Sequence, residues 1–200
     1  MITGFKKSIQ RCNGVDIAVH RAGKGTPLLL LHGYPQNHMC WERVAPQLAL
    51  THDVIIPDLR GYGASSAPAN DAGNTTYSKR TMAQDMADLL TTLGIARADV
   101  LGHDRGARVS YRFALDHPDR LGKLGIIEIV PTGDFWASWT ADLAMAAYHW
   151  TFLAQPAPMP ERMISSDPEA YIDWTLTQWT LNHSLENFSP KALETYRTQA

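Results

Sequence analysis

The pentapeptide Gly102-His103-Asp104-Arg105-Gly106 sets a carboxylate between two glycines, directly after the apolar pair Val100-Leu101 and ahead of a helical stretch that ends near His117-Pro118. Gly-x-nucleophile-x-Gly is the spacing of a sharp strand-to-helix turn. The glycines omit Cβ atoms where two backbone segments approach closely, and the central side chain is tilted into open space. Ser is the commoner residue at the centre. Asp changes the chemistry, because a carboxylate is a weak nucleophile toward amides but a competent one toward a saturated carbon carrying a leaving group. An Asp here is also a good N-cap for the following helix, and the pentapeptide alone leaves both roles open.

Three further charges stand where they need an explanation. Arg105 and Arg108 fall in the first turn of the helix that the turn begins, where the helix dipole disfavours a cation by about 0.3–1 kcal/mol. Their placement calls for a nearby anion, and a guanidinium grips a carboxylate through two parallel hydrogen bonds. A surface ion pair with Asp or Glu is the plainer alternative. Glu128 is the only charge in Ile126-Ile127-Glu128-Ile129-Val130. An ionised carboxylate in apolar surroundings is costly unless partnered, so Glu128 is expected to have a partner.

The elements that must position these residues alternate between strands and helices. Residues 5–12 and 15–22 read as two strands joined by a tight turn at Asn13-Gly14. A strand at 27–32 is followed by Trp41, Val44, Ala45 and Leu48 at helical spacing, then by a strand at 53–57 and a polar loop at 61–76. Ser78 caps a helix with an apolar face of Met82, Met86, Leu89, Leu90 and Leu93, and Gly94 stops it. Strands at 98–103 and 123–130 flank the turn and its helix. This alternation predicts an α/β protein with a mostly parallel sheet and helices on both faces. From Pro131 the pattern becomes helical and rich in Trp, Tyr and Pro. The expected division is a core over 1–130 and a helical domain over 131–200.

Two more strand ends carry loop chemistry: Pro27–Leu31 runs into His32-Gly33-Tyr34-Pro35, and Val54-Ile55-Ile56 into Pro57-Asp58-Leu59-Arg60-Gly61-Tyr62-Gly63. With Gly102–Gly106, in this order and spacing, these segments resemble the α/β-hydrolase family, and within it the branch with an Asp nucleophile. His149-Trp150 followed by Thr151–Pro158, together with Asp104, Arg105 and Arg108, is similar to the haloacetate (fluoroacetate) dehalogenases over essentially the whole chain. The resemblance implies the α/β-hydrolase fold with a cap inserted after the sixth strand, and hydrolytic removal of halide from a small halogenated carboxylate. Asp104 would form an ester with the carbon bearing the halogen, and the backbone N–H groups of Tyr34 and Arg105 would hold the oxyanion when water attacks that ester. Arg105 and Arg108 would bind the substrate carboxylate. His149 and Trp150, each an N–H donor, would stabilise the leaving halide beside a Tyr of the cap. A homodimer is the assembly it suggests.

The family orients its catalytic His with an acid after the sixth strand, usually Asp. Glu128 stands there in this chain, with Asp134 as the competing position. None of the eight histidines occupies the family's place for the base that activates water, which follows the last strand. That residue is expected beyond Ala200. These 200 residues alone are then expected to perform at most one turnover, trapping the ester on Asp104. An epoxide hydrolase or haloalkane dehalogenase shares the Asp nucleophile but commonly follows it with Trp where this chain has Arg105. A truncated, non-catalytic relative is the remaining alternative.

Composition narrows the classes. A formal net charge of −2 and no run of Lys or Arg give no footprint for nucleic acid. The longest aliphatic run, Leu28–Leu31, is too short to span a bilayer. Cys12 and Cys40 lack metal-ligand spacing and read as reduced packing residues of a cytoplasmic protein. No cofactor and no metal are expected.

Overall fold

The computed structural model describes residues 1–199. Strands β1 (Lys6–Cys12) and β2 (Val15–Ala22) form a hairpin in which Asn13 and Gly14 both take positive φ, 45° and 78°. Asn-Gly tolerates that conformation, and the resulting tight turn matches the twist of the strands. The turn is fastened from outside: the Asn13 N–H donates to the Asp88 carboxylate at 3.0 Å and its side-chain amide to Asp85 at 2.8 Å.

Strands β3 (Thr26–Leu31), β4 (His52–Pro57), β5 (Ala98–His103) and β6 (Leu121–Ile127) complete a sheet of order β1-β2-β4-β3-β5-β6. β2 runs antiparallel to both β1 and β4, while β3, β4, β5 and β6 are mutually parallel. Leu28–Leu31 and Val54–Ile56 are buried without alternation, as strands covered on both faces must be. Beside the short helix α1 (Ala45–Leu48), two longer helices, α2 (Lys79–Thr92) and α3 (Arg105–Asp116), pack against the sheet and each other. Met82, Met86, Leu89 and Leu90 of α2 and Val109 and Phe113 of α3 join Ile17, Leu29, Leu31 and Ile55 in one core. Each such fully buried side chain contributes roughly 1.5–3 kcal/mol. α2 starts where Ser78 accepts a hydrogen bond from the Thr81 N–H at 3.1 Å, and ends at Gly94 with φ of 70°.

Residues Met1–Ile129 form one compact unit and Val130–Ser189 a second. The second contains α4 (Thr132–Ala137), α5 (Ala141–Ala146), α6 (Tyr148–Phe152), α7 (Met159–Ser166) and α8 (Pro168–Gln178). Its aromatic side chains cluster, the Phe135 and Trp150 rings 4.4 Å apart and Trp136 and Trp139 4.7 Å apart, while Ala147, Ile172 and Leu176 are buried. Thr140 and Asp167 cap α5 and α8 through the N–H groups of Leu143 and Ala170. No helix among the described residues is long and apolar enough to cross a membrane.

Two boundaries differ from the sequence expectation. Helix α9 (Pro190–Gln199) belongs to the first unit rather than to the helical domain expected over 131–200. It buries Ala192 and Tyr196, the Asn37 side chain donates to the Thr195 carbonyl at 3.4 Å, and the Gly63 N–H donates to that of Gln199 at 3.1 Å. The last strand ends at Ile127 instead of continuing to 130, because Glu128 turns into the left-handed region with φ of 59°.

Candidate active site

The parallel strands β3, β4 and β5 end on one side of the first unit, and the loops that leave them carry the candidate residues, as expected for sites of open parallel sheets. At the end of β5, Asp104 takes φ of 48° and ψ of −116°, a conformation rare for a residue with a Cβ and typical of strained functional turns. The turn is tight. A Cβ on Gly106 would lie 2.3 Å from the Leu31 carbonyl oxygen, and one on Gly102 2.5 Å from the backbone of Gly106. Asp104 occupies the N-cap position of α3, yet its side chain makes no capping hydrogen bond. The carboxylate points elsewhere and accepts the Tyr34 backbone N–H on Oδ1 at 2.8 Å. Gly33 makes that approach feasible, since a Cβ there would fall 2.5 Å from Cβ of Asp104. The Asp104 N–H donates to the Ile127 carbonyl at 3.3 Å, tying the turn to β6.

Arg105 and Arg108 lie in the first turn of α3, as expected. The Arg105 guanidinium sits 5.9 Å from the centroid of the Tyr34 ring, within the range of a cation–π contact. Arg108 is buried, which removes it from the class of surface ion pairs. Burial lowers its pKa, and Asp104 opposes the shift. A third cation joins them. Lys79, the first residue of α2, is half-buried, and its pKa is pushed down to about 8, first by desolvation and then by Arg105 and Arg108, with Asp104 opposing. No local motif in the sequence marks Lys79, because the packing of α2 on α3 brings it there.

The loops under Asp104 are cross-braced. Buried His32 accepts the Leu59 N–H on Nε2 at 2.9 Å, and its Nδ1 lies 3.1 Å from the Gly33 carbonyl. Both contacts are met at once by the neutral imidazole protonated at Nδ1, and burial lowers its pKa in keeping with that form. Asp58 accepts from the His38 N–H, the His38 ring and the Ala64 N–H at 2.8, 2.8 and 3.0 Å. Desolvation raises the Asp58 pKa, but the His38 hydrogen bond and charge, with the other donors, prevail and hold it down to about 2. His20 stacks on His38 with ring centroids 3.6 Å apart and planes 12° from parallel. His20, His38 and Asp58 are the set among the described residues whose atoms approach metal-ligand spacing. They do not fit an ion: the lone pairs of two face-to-face imidazoles lie in parallel planes and do not converge on one point.

Glu128 is not enclosed in apolar surroundings, as its neighbours in sequence suggested. Its side chain is 80% exposed, and Oε2 lies 3.3 Å from Nε2 of His103. Ile126, Ile127 and Val130 beside it are exposed as well. Asp134 lies in the first turn of α4, in the second unit. His149 and Trp150 occupy α6 of that unit, His149 edge-on to Trp179 at 4.8 Å and Trp150 against Phe135. The structure therefore brings together Asp104, Tyr34, Arg105 and Arg108 in one unit and holds His149 and Trp150 in the other.

A strand-borne Asp in a nucleophile turn, over a parallel sheet flanked by helices, is a hydrolase-type arrangement. Residues 26–200 match the family model of the α/β hydrolase fold, and the chain belongs to that family. It is 43% identical over 199 residues to the fluoroacetate dehalogenase of a Burkholderia species, covering 100% of this chain and 65% of that protein. It is 36% identical over 188 residues to the soluble epoxide hydrolase of Corynebacterium sp. strain C12, covering 92% and 63%. A crystal structure of a candidate α/β hydrolase from Nostoc sp. PCC 7120 superposes with a TM-score of 0.96 at 44% identity, covering 100% of this chain and 68% of that one. The chain thus spans about two thirds of the length of these relatives.

Proposed function

We propose that this chain carries the nucleophilic half-site of a haloacetate dehalogenase. The observation that carries this reading is the Asp104 carboxylate on the Tyr34 N–H with Arg105 and Arg108 in the adjacent turn. Oδ1 is occupied, which leaves Oδ2 to attack the carbon bearing the halogen; the C–O bond forms as the carbon–halogen bond breaks and halide departs with its electron pair. Arg105 and Arg108 hold the substrate carboxylate during the displacement. In the second step water attacks Cγ of Asp104, and the developing charge falls on Oδ1, already within hydrogen-bond distance of a donor. Collapse of that intermediate releases glycolate with the original Oδ2 and leaves one water oxygen in the Asp104 carboxylate.

In this reading Glu128 orients the base that activates water, and His149 and Trp150 donate to the departing halide. The relationship to a soluble epoxide hydrolase supports a second reading, in which Asp104 opens an epoxide ring by the same ester chemistry. Arg105, a charge beside the nucleophile, favours the halogenated acid. Incubation of the protein with chloroacetate, followed by peptide mass spectrometry, separates the two. The expected product is a glycolyl ester on Asp104 with one halide released per ester formed. A hydroxyalkyl ester from styrene oxide, with none from chloroacetate, would assign the chain to epoxides instead.

A further inference from the structure

Tyr34 touches two consecutive residues of the nucleophile turn by two different groups. Its backbone N–H donates to Oδ1 of Asp104 at 2.8 Å, and its ring centroid lies 5.9 Å from the guanidinium carbon of Arg105. The ring is the one contact that steadies this guanidinium: among the described residues, the Arg105 side chain enters no hydrogen bond and no ion pair. Other arginines of the same unit are spent on the protein, Arg21 and Arg60 on carboxylates, Arg120 on backbone carbonyls. An aromatic face attracts a guanidinium through its charge and takes up none of its N–H groups. The Arg105 fork is therefore held in place with its donors still uncommitted.

Resting on the haloacetate reading of the Asp104 site, we propose that the Tyr34 side chain is a positioning residue, whose ring seats the Arg105 guanidinium and so selects a carboxylate beside the nucleophile. A haloacetate has a single carbon–carbon bond between the carbon attacked and its carboxylate. The placement of the guanidinium relative to Oδ2 of Asp104 is therefore critical, and Tyr34 governs both ends of it. The backbone donor fixes the Asp104 carboxylate, while the ring limits the sweep of a long, flexible side chain. A guanidinium left to swing would grip the carboxylate while the reacting carbon drifted out of line. Ordering it before the substrate arrives removes that entropy loss from binding and from the displacement.

The two contacts separate by mutation. Any residue except Pro supplies a backbone N–H at position 34, so the ring can be removed while the donor to Asp104 is kept. Loss of the ring releases Arg105 and weakens the hold on a carboxylate. A neutral reagent that needs only the Asp104 nucleophile is spared. Phe in place of Tyr keeps the aromatic face, because the attraction for a cation comes from the π-system rather than from the hydroxyl.

The test measures acetate binding by titration calorimetry and the rate of Asp104 alkylation by chloroacetate and by chloroacetamide, which is of similar size and brings no carboxylate. Tyr34→Leu and Tyr34→Met both remove the ring, and each is expected to weaken acetate and to slow chloroacetate about fivefold. Chloroacetamide should react at the native rate in both, and Tyr34→Phe should match the native protein toward all three compounds. In an Arg105→Gln background, Tyr34→Leu should change acetate affinity no further. Native affinity and native chloroacetate rates in the two variants without the ring would overturn the proposal. So would an equal loss toward both reagents, which marks a disturbed loop, or a loss in Tyr34→Phe as large as in Tyr34→Leu, which assigns the effect to the hydroxyl. The two readings fail separately. Acetate binding that depends on the ring, without an ester on Asp104 from chloroacetate, defeats the dehalogenase reading alone, and an ester whose formation is insensitive to the ring defeats this one alone.

Discussion

The Tyr34 backbone N–H donates to Oδ1 of Asp104 at 2.8 Å, so the carboxylate is divided into a held oxygen and a free one before any substrate arrives. A carboxylate that swings between rotamers would spend part of its time misaligned, and one fixed oxygen removes that entropy cost from the reaction.

Asp104→Asn retains the acceptor oxygen and loses the nucleophile. Ester formation and halide release should drop to background. Stability should stay within about 0.5 kcal/mol, because the side chain caps nothing in α3 and Asn tolerates the positive φ. Peptide mass spectrometry and urea unfolding read the two quantities independently. Halide release persisting in the variant would remove Asp104 from the mechanism.

Gly33→Ala places a methyl 2.5 Å from Cβ and 2.7 Å from Oδ1 of Asp104. Neither backbone can withdraw easily, so the expected result is a stability loss of about 1–3 kcal/mol together with slower alkylation of Asp104. Full stability with full reactivity would mean that the two loops are looser than the Tyr34–Asp104 hydrogen bond between them implies.

Arg60 and Asp85 are both buried and joined side by side, with Arg60 Nε donating at 2.6 Å and Asn13 adding a further bond to Asp85. Asp85→Ala strands the guanidinium and should cost about 3–5 kcal/mol. Replacing both partners, Arg60→Met with Asp85→Leu, should recover much of it. Urea midpoints of the three proteins decide this, and equal loss in single and double variants would contradict the desolvation account.

His20 is buried and its pKa is held down to about 4, first by burial and then by His38. The unfolded imidazole takes up a proton near 6.5, which the folded one refuses until about 4. Stability is therefore lost as pH falls through that window, by roughly 3 kcal/mol in total. Asp58, held to about 2, contributes only at lower pH. His20→Leu should flatten the slope between pH 6.5 and 4 in denaturation curves, and an unchanged slope would assign the effect to another group.

Features written into contiguous residues were legible in the sequence. The Asn13-Gly14 turn, the Ser78 cap, the Gly94 stop and the nucleophile turn each depend on local backbone chemistry, and each stands where the residues indicate. Features that depend on packing were not. Lys79 reaches the neighbourhood of Asp104 because two helices lie side by side, and the His38–Asp58 bond joins two loops across 20 positions. Glu128 has the partner that a charge among apolar neighbours called for, but that partner, His103 at 3.3 Å, lies 25 positions away and no local pattern names it. The return of α9 to the core unit likewise rests on Tyr196 and Ala192, two residues whose spacing alone says nothing about which partner they bury against.

The turn at Asp104 is held by glycine clearances and backbone hydrogen bonds, and the carboxylate takes no part in capping α3. The helix that follows is consequently independent of the headgroup, whose one backbone contact is the Tyr34 N–H. A hydroxyl or a thiol at position 104 would inherit the same turn and helix, giving up only the Tyr34 N–H contact, so a one-residue exchange there alters the reaction available to the protein at small cost to its architecture. Such modularity makes the position a natural starting point for laboratory evolution of new bond-breaking activities.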